Sequence, residues 1–382
     1  MLTEISNKVL LITNIPTPYR IPLFNELHEQ LKEKGLKLKV IFGALGYPHR
    51  KWNVEISLCK FDCEVSPSRR LILSGPEKVM FTYRGLLKNI KREKPRVIIT
   101  NAFSIATTKL WLISWFRNVR YIIWSGAIER RRKPDSQIRR THRKLLMKRA
   151  AGFIAYGKKA REYLVGLGAR PKKIEIGINT VDTDYFNKEV NKIRDALEKN
   201  NSKKIIIYVG HLTRGKRLDL LFHVIKILAK KRNDFIVKII GDGPEKTNLI
   251  NLAKKLEIVE FISIEGFKQK EEIVKYYAEA DCFLFPSEYD VWGLVLVEAM
   301  AAGLPCIASV HAGATHDLIL NGVTGFAMDF ENPGEIVKKI GMILDDYQYA
   351  QRIGEEASRF IRKNASLRES AKGFIRAIDK AS

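Results

Sequence analysis

The amino-acid sequence predicts an α/β protein built from two doubly wound parallel sheets that face each other across a cleft. Three features lead there. Short apolar runs alternate with longer amphipathic stretches along all 382 residues. Each run is brief and rich in Val, Ile or Leu, as in strands buried on both faces. The alternation breaks once, in a polar segment near 178–203, and the chain far exceeds the roughly 150 residues of an ordinary domain.

In the first half the pattern predicts strands at Val9–Thr13, Leu38–Phe42, Val97–Thr100, Tyr121–Trp124 and Phe153–Tyr156. Between the first two lies a helix, Ile21–Glu33, with Leu23, Phe24, Leu27 and Leu31 on one stripe. The second half repeats the scheme, with strands at Ile205–Val209, Phe235–Ile240, Phe261–Ile264, Cys282–Phe285 and Cys306–Ala308. Its helices are Leu218–Lys231, Lys270–Glu279, Leu294–Ala302 and Glu335–Leu344. Strand, helix and strand in series give parallel sheets with helices on both faces. The expected domains are 1–180 and 204–365, joined by a linker at 181–203. A last helix, 366–382, is expected to return to the N-terminal domain.

Composition narrows the classes. Apolar residues make up 46% and charged residues 29%, which is globular. The longest apolar stretch, Leu110–Phe116, is far short of the roughly 20 residues that span a bilayer. The start, MLTEISNKVLLITN, carries Glu4 and only a brief apolar run, so no secretory signal is read and a cytoplasmic location is expected. Cys59, Cys63, Cys282 and Cys306 show neither zinc spacing nor a disulfide framework. The net charge of +25 is uneven: residues 1–180 hold 37 Lys and Arg against 13 Asp and Glu. That half calls for an anionic partner, whether nucleic acid, membrane surface or phosphorylated substrate.

Four strand ends in the second half carry chemistry. Gly210-His211-Leu212-Thr213-Arg214-Gly215-Lys216 puts cations in a tight loop at a strand's carboxyl end, where an anionic leaving group needs support. Gly241-Asp242-Gly243-Pro244 offers two glycines for close backbone approach and a proline to open the next helix. Glu265-Gly266-Phe267-Lys268 is a third such end. The fourth runs from Phe285 through Asp290 and Gly293-Leu294-Val295 to Glu298 and Pro305. Here a helix N-terminus offers N–H groups suited to phosphate, and Glu298 lies among apolar neighbours, where sugar hydroxyls are fitting partners. Each piece alone has a plain structural reading: a solvated basic turn, an ordinary strand-to-helix turn, a Glu reaching solvent.

Together these pieces resemble the family-4 glycosyltransferases of GT-B fold, whose two domains are Rossmann-like. The matched motifs are the G-x-L-x-x-x-K loop Gly210–Lys216, the G-D-G-P turn, the Gly266-Phe267 pair, the acidic-x7-Glu motif from Asp290 to Glu298, and the A-x-G-x-P exit Ala301–Pro305. Gly313–Ile319 and Asn321–Phe326 also fit, and Asn179–Asp182 is similar to the family's N-G-V-D piece. The resemblance covers about half the chain and fades before residue 150. It implies a retaining, metal-independent enzyme that uses a UDP- or GDP-sugar donor and needs no cofactor. It further implies that Lys216 and Arg214 hold the donor diphosphate with the Gly293, Leu294 and Val295 amides. Glu298 would take the ribose hydroxyls and Asp290 the transferred sugar. Gly266, Phe267 and Lys268 would line the base pocket, with Gly210, His211, Gly241 and Gly243 close by. Two positions depart from the family: His211 stands where Arg is frequent, and Asp290 is one methylene shorter than Glu. Asp182-Thr183-Asp184 reads as D-x-D, but it falls in the expected linker and fits N-G-V-D.

The first half is expected to serve a glycan or lipid-linked acceptor. Asn14–Arg20 carries Pro16 and Pro18 and opens a helix, placing Tyr19 and Arg20 to meet an acceptor or donor phosphate, or merely to form a rigid connector. No His follows the strand ends at Thr100 and Trp124; the first half's histidines are His28, His49 and His142, and Glu129 is the candidate base. Glu129–Pro134 and Arg139–Arg149 form a basic helix with its lead-in, and Leu110–Arg117 is an aromatic apolar helix. Both suit an anionic membrane surface; the plainer reading of Trp111–Phe116 is burial against the sheet, and the alternative for the basic helix is a solvated face. Two other readings remain at this stage. A sugar-nucleotide epimerase of the same fold lacks the acidic-x7-Glu and G-D-G-P set. A nucleic-acid-binding protein would use the basic half, but no RNA- or DNA-binding motif is present, so no nucleic-acid partner is expected.

Overall fold

The computed structural model describes residues 6–47, 51–68, 70–72, 79–132, 134–197 and 203–382; His49, Lys133 and positions 198–202 of the expected linker lie outside the described residues. The chain divides into two compact units: residues 1–181 with 367–382, and residues 182–366.

In the first unit β1 (Lys8–Thr13), α1 (Arg20–Glu33) and β2 (Lys37–Phe42) follow the predicted pattern, and Leu23, Phe24, Leu27 and Leu31 are all fully buried. Each such side chain contributes roughly 2 kcal/mol by leaving water. Then come β3 (Asp62–Val65), the antiparallel pair β4 (Arg70–Ile72) and β5 (Val79–Phe81), α2 (Leu86–Glu93), and β6 (Val97–Asn101). Next are α3 (Ile105–Ile113), β7 (Tyr121–Ser125), α4 (Gln137–Met147), β8 (Gly152–Ala155), α5 (Lys158–Gly166) and β9 (Ile174–Ile176). The parallel sheet runs β3-β2-β1-β6-β7-β8-β9. Strand order reverses between β1 and β6, so the crevice beyond their carboxyl ends is this unit's natural ligand position.

Sequence reasoning missed the outer strands β3 and β9. The first is half polar (DCEV) and the second only three residues long, as edge strands often are. The apolar helix predicted to reach Phe116 ends at Ile113, leaving Trp115 and Phe116 exposed rather than packed on the sheet.

The second unit starts with α6 (Thr183–Ala196). This corrects the expectation of a linker: Asp182 caps the helix through Tyr185 N–H (3.0 Å), and Phe186 and Val190 are buried. β10 (Lys204–Val209), α7 (Leu218–Ala229), β11 (Phe235–Ile240), α8 (Lys246–Lys255), β12 (Ile262–Gly266) and α9 (Lys270–Glu279) follow. Then come β13 (Cys282–Phe285), α10 (Leu294–Ala301), β14 (Cys306–Ser309), α11 (Thr315–Leu318), β15 (Phe326–Met328), α12 (Pro333–Asp345) and α13 (Tyr347–Asn364). The order β12-β11-β10-β13-β14-β15 is parallel throughout and reverses between β10 and β13. The last helix, α14 (Leu367–Ala381), belongs to the first unit, where Phe374 meets Trp124 edge to face with ring centroids 5.0 Å apart.

Candidate active site

The turn after β10 and the loop after β13 meet at the reversal point of the second sheet. Gly215 O accepts Glu288 N–H (3.0 Å) and the Ser287 hydroxyl (3.4 Å), which ties the cationic turn to the acidic loop. Lys216 then pairs with Asp290 through its ammonium, and both side chains are mostly buried. The other oxygen of Asp290 accepts Trp292 N–H at 3.1 Å. Arg217, which sequence reasoning overlooked, adopts a left-handed backbone and joins Asp219 (3.0 Å) and Glu288 (3.4 Å). Arg214, on the same turn, is exposed.

Beneath this pair Tyr208 is fully buried, and its hydroxyl has no partner among the described residues. Burial, aided by the Asp290 carboxylate, holds its phenol protonated.

The neighbouring strand ends lock to one another. Gly210 N–H donates to Ile240 O (3.0 Å), and Gly241 N–H to Gly266 O (2.8 Å). A Cβ on Gly241 would lie 1.9 Å from Gly210 O, and one on Gly243 would lie 2.4 Å from Leu212 O. These two glycines, expected near the ligand, thus have a structural duty: they let adjacent turns pack backbone to backbone. His211 faces Asp242 O at 2.5 Å, so its Nδ1 carries the proton. Phe267 and Lys268 are half-buried beside Gly266, and Lys268 Nζ lies 5.9 Å from the Tyr276 ring centre.

At the start of α10, Gly293 is left-handed (φ 103°), and a Cβ there would strike the Phe285 ring at 2.7 Å. Leu294 and Val295 form the first turn, whose N–H groups have no acceptor within the helix. Glu298, one turn on, accepts the Tyr277 hydroxyl at 2.9 Å. Burial pushes its carboxyl up to about 7, against the pull of Tyr277 and Lys270. Burial pushes Lys270 down, while Asp182 and Glu298 pull it back. Lys270 Nζ sits 3.6 Å from the Tyr185 ring centre. Tyr277, Lys270 and Tyr185 escaped the sequence reading; Lys270 lies only two residues past Lys268, and the other two stand on helix faces without a motif.

Two earlier candidates fall outside this cluster. Glu129 is exposed and pairs with Arg140 at 3.1 Å, so nothing here marks it as a base. In the D-x-D, Asp182 caps α6 and Asp184 meets Arg362 at 3.1 Å.

Two Rossmann-like units, one with cations and a helix N-terminus at its strand-order reversal, define the GT-B class of fold. The family model "Glycosyl transferases group 1" matches residues 189–360, and "Glycosyltransferase Family 4" matches residues 24–185. HepE from Anabaena, solved in complex with UDP, has a TM-score of 0.76 at 17% identity, covering 97% of this chain and 99% of that one. An uncharacterized glycosyltransferase of Haemophilus influenzae is 35% identical over 37% of this chain and 40% of its own. The sulfoquinovosyl transferase SQD2 of Arabidopsis thaliana is 34% identical over 46% of this chain and 34% of its own. The matched stretches thus span less than half the length of these curated relatives. The chain belongs to the family-4-like glycosyltransferases of GT-B fold. The matches support neither an epimerase nor a nucleic-acid-binding protein.

Proposed function

We propose that the chain is a retaining, metal-independent transferase. It moves a hexose-type sugar from a UDP- or GDP-sugar to a hydroxyl of a glycan or lipid-linked acceptor. The Lys216–Asp290 pair at the carboxyl ends of β10 and β13 carries this reading. When the donor binds, its diphosphate replaces the Asp290 carboxylate as the partner of Lys216, and Arg214 and the α10 N-terminus add positive potential. Asp290, released, accepts hydroxyls of the sugar. The sugar–oxygen bond to the β-phosphate breaks as the acceptor oxygen attacks from the same face. The departing phosphate oxygen takes the acceptor proton, so configuration is retained without a protein nucleophile. Glu298, held by Tyr277, accepts the two ribose hydroxyls. A UDP-bound neighbour of the same fold supports the donor class.

The test is a thermal-shift panel of UDP, GDP and ADP and their sugars, since a ligand that binds the folded state raises the midpoint. One base giving a saturable rise in the parent, and none in Lys216→Ala, is expected; no rise with any nucleotide overturns the reading.

A second property is proposed for the first unit: peripheral contact with an anionic membrane at the inner face of the cell membrane. Phe116, in the turn after α3, is 88% exposed and Ile138, on the neighbouring α4, is 84% exposed, among Arg117, Arg139 and Arg149. Arg149 stacks on the exposed Trp115 ring at 4.6 Å. Among the described residues no helix is long and apolar enough to cross a membrane.

A further inference from the structure

Among the described residues, the first unit holds a buried cation without a counter-charge. Arg20 opens α1 and is only 9% exposed. Its guanidinium lies 4.0 Å from the Trp124 ring centre, and Nη2 donates to the Tyr156 hydroxyl at 2.7 Å. Among the described residues its Nη1 has no partner, and neither does the Thr17 hydroxyl three residues earlier nor the Trp124 indole nitrogen beneath the guanidinium. All three groups donate hydrogen bonds, and all are buried. Asn179, tied to Tyr156 O through its backbone N–H (3.1 Å), also leaves its side-chain oxygen unpartnered.

A guanidinium stays charged at every pH a fold survives. Stacking on Trp124 offsets part of its lost hydration, but an uncompensated buried charge is among the most destabilising features a fold can hold. Among the described residues no carboxylate pairs with it. The position also explains a ligand. Arg20 and Thr17 stand where β1 gives way to a fourteen-residue helix, beside the reversal point of the sheet, and that helix presents its positive end there.

We infer that Thr17, Arg20 and Trp124 form a binding site for a phosphoryl group carried by the acceptor. The assignment to the acceptor rests on the donor site proposed at Lys216; the anion site itself does not. The acceptor is then a phosphorylated or diphosphate-linked glycan or lipid, and a neutral sugar lacks the group this corner is built for.

Full-length protein is titrated with inorganic pyrophosphate and with UDP, at ionic strength matched with chloride, and the unfolding midpoint is followed. Parent, Lys216→Ala, Arg20→Met and Arg20→Lys are compared. Methionine keeps bulk against Trp124 and removes the charge. Pyrophosphate is expected to raise the midpoint of parent and Lys216→Ala, with apparent affinity lowered about tenfold or more in Arg20→Met. UDP is expected to stabilise Arg20→Met as it does the parent. If Arg20→Met does not fold, Arg20→Lys is expected to keep a weakened pyrophosphate response. A Lys216→Ala protein indifferent to pyrophosphate overturns the site, and an undiminished response in both Arg20 variants overturns the residue assignment. A UDP response lost in folded Arg20 variants gives the anion to the donor and overturns the acceptor assignment. A parent indifferent to UDP alone sinks the donor reading and leaves the pyrophosphate result intact.

Discussion

The ammonium of Lys216 and the carboxylate of Asp290 are paired although 74 residues separate them in sequence. Adjacent parallel strands β10 and β13 bring their loops together, and in the folded chain each charge of the pair is the other's partner. Lys216→Ala strands Asp290 and, under the proposed function, removes the partner of the leaving group. The expected fall in kcat is about 10²- to 10³-fold, the usual loss for one preorganised donor. Initial rates with the nucleotide sugar selected by the thermal-shift panel check this, and activity within twofold of the parent contradicts the role.

Asp290→Asn separates binding from transfer. It removes a negative charge that repels the incoming diphosphate and frees Lys216, while the side-chain oxygen still accepts Trp292 N–H. UDP affinity is expected to hold or rise. Transfer is expected to fall by about tenfold or more, because an amide accepts sugar hydroxyls less strongly than a carboxylate. Calorimetric titration with UDP beside steady-state kinetics distinguishes the two effects, and parallel losses in both count against the assignment.

The chemistry of the second unit was legible because it sits at strand ends, where glycine, proline and charge interrupt apolar runs. Gly210, Lys216, Asp290 and Gly293 could be read that way. Gly241 and Gly243 were legible as glycines but not in their duty, since the clash they avoid is with Gly210 and Leu212 on another strand. Tyr277 and Lys270 meet Glu298 only through packing of α9 on its neighbours, which no local pattern announces. The helix α6 was lost in a polar run because it buries only Thr183, Phe186 and Val190, too narrow a stripe to stand out. Arg20 was legible as a helix-start cation, but its lack of a counter-ion belongs to the folded state alone.

Glu298 gives a pH signature. Its carboxyl is raised from 4.5 to about 7 by burial. Between those values the folded chain keeps a proton that the unfolded chain releases, so stability falls as pH rises through the window and stays lower above it. Glu298→Gln mimics the protonated form and keeps an acceptor for Tyr277. It is expected to unfold at a higher midpoint than the parent at pH 8, with the gap closing toward pH 4.5. The same change is expected to weaken UDP about tenfold at pH 8, since the ribose loses a carboxylate acceptor. Parent affinity rises from pH 6 to pH 8 as Glu298 ionises; the variant, subject to the same phosphate titration, shows the smaller rise. Equal slopes for both proteins remove Glu298 from the ribose.

Gly241→Ala tests packing against ligand contact. The added methyl meets Gly210 O at 1.9 Å, and φ of 156° adds strain, so one strand end must move. A loss on the order of 2–3 kcal/mol is expected from overpacking alone. The loss should appear in urea unfolding of the free protein and persist unchanged with saturating UDP after correction for binding. A variant as stable as the parent when free, yet deficient in UDP binding, would return Gly241 to the ligand.

The apolar tip at Trp115 and Phe116 and the cations of α4 make different demands on a membrane. Basic residues near an anionic surface contribute about 1 kcal/mol each and are screened by salt, whereas buried aromatic area is not. Flotation with vesicles containing phosphatidylserine is therefore expected to recover the parent at low salt and less of it at high salt, with little on neutral vesicles. Trp115→Ser with Phe116→Ser should reduce recovery at every salt concentration. Both changes lie in the exposed turn after α3, Phe116 being 88% and Trp115 58% exposed, so folding and UDP binding are expected to be unaffected. Equal recovery of parent and double variant at all salts leaves the tip without a membrane role; no recovery of either on anionic vesicles leaves the cations as a solvated face.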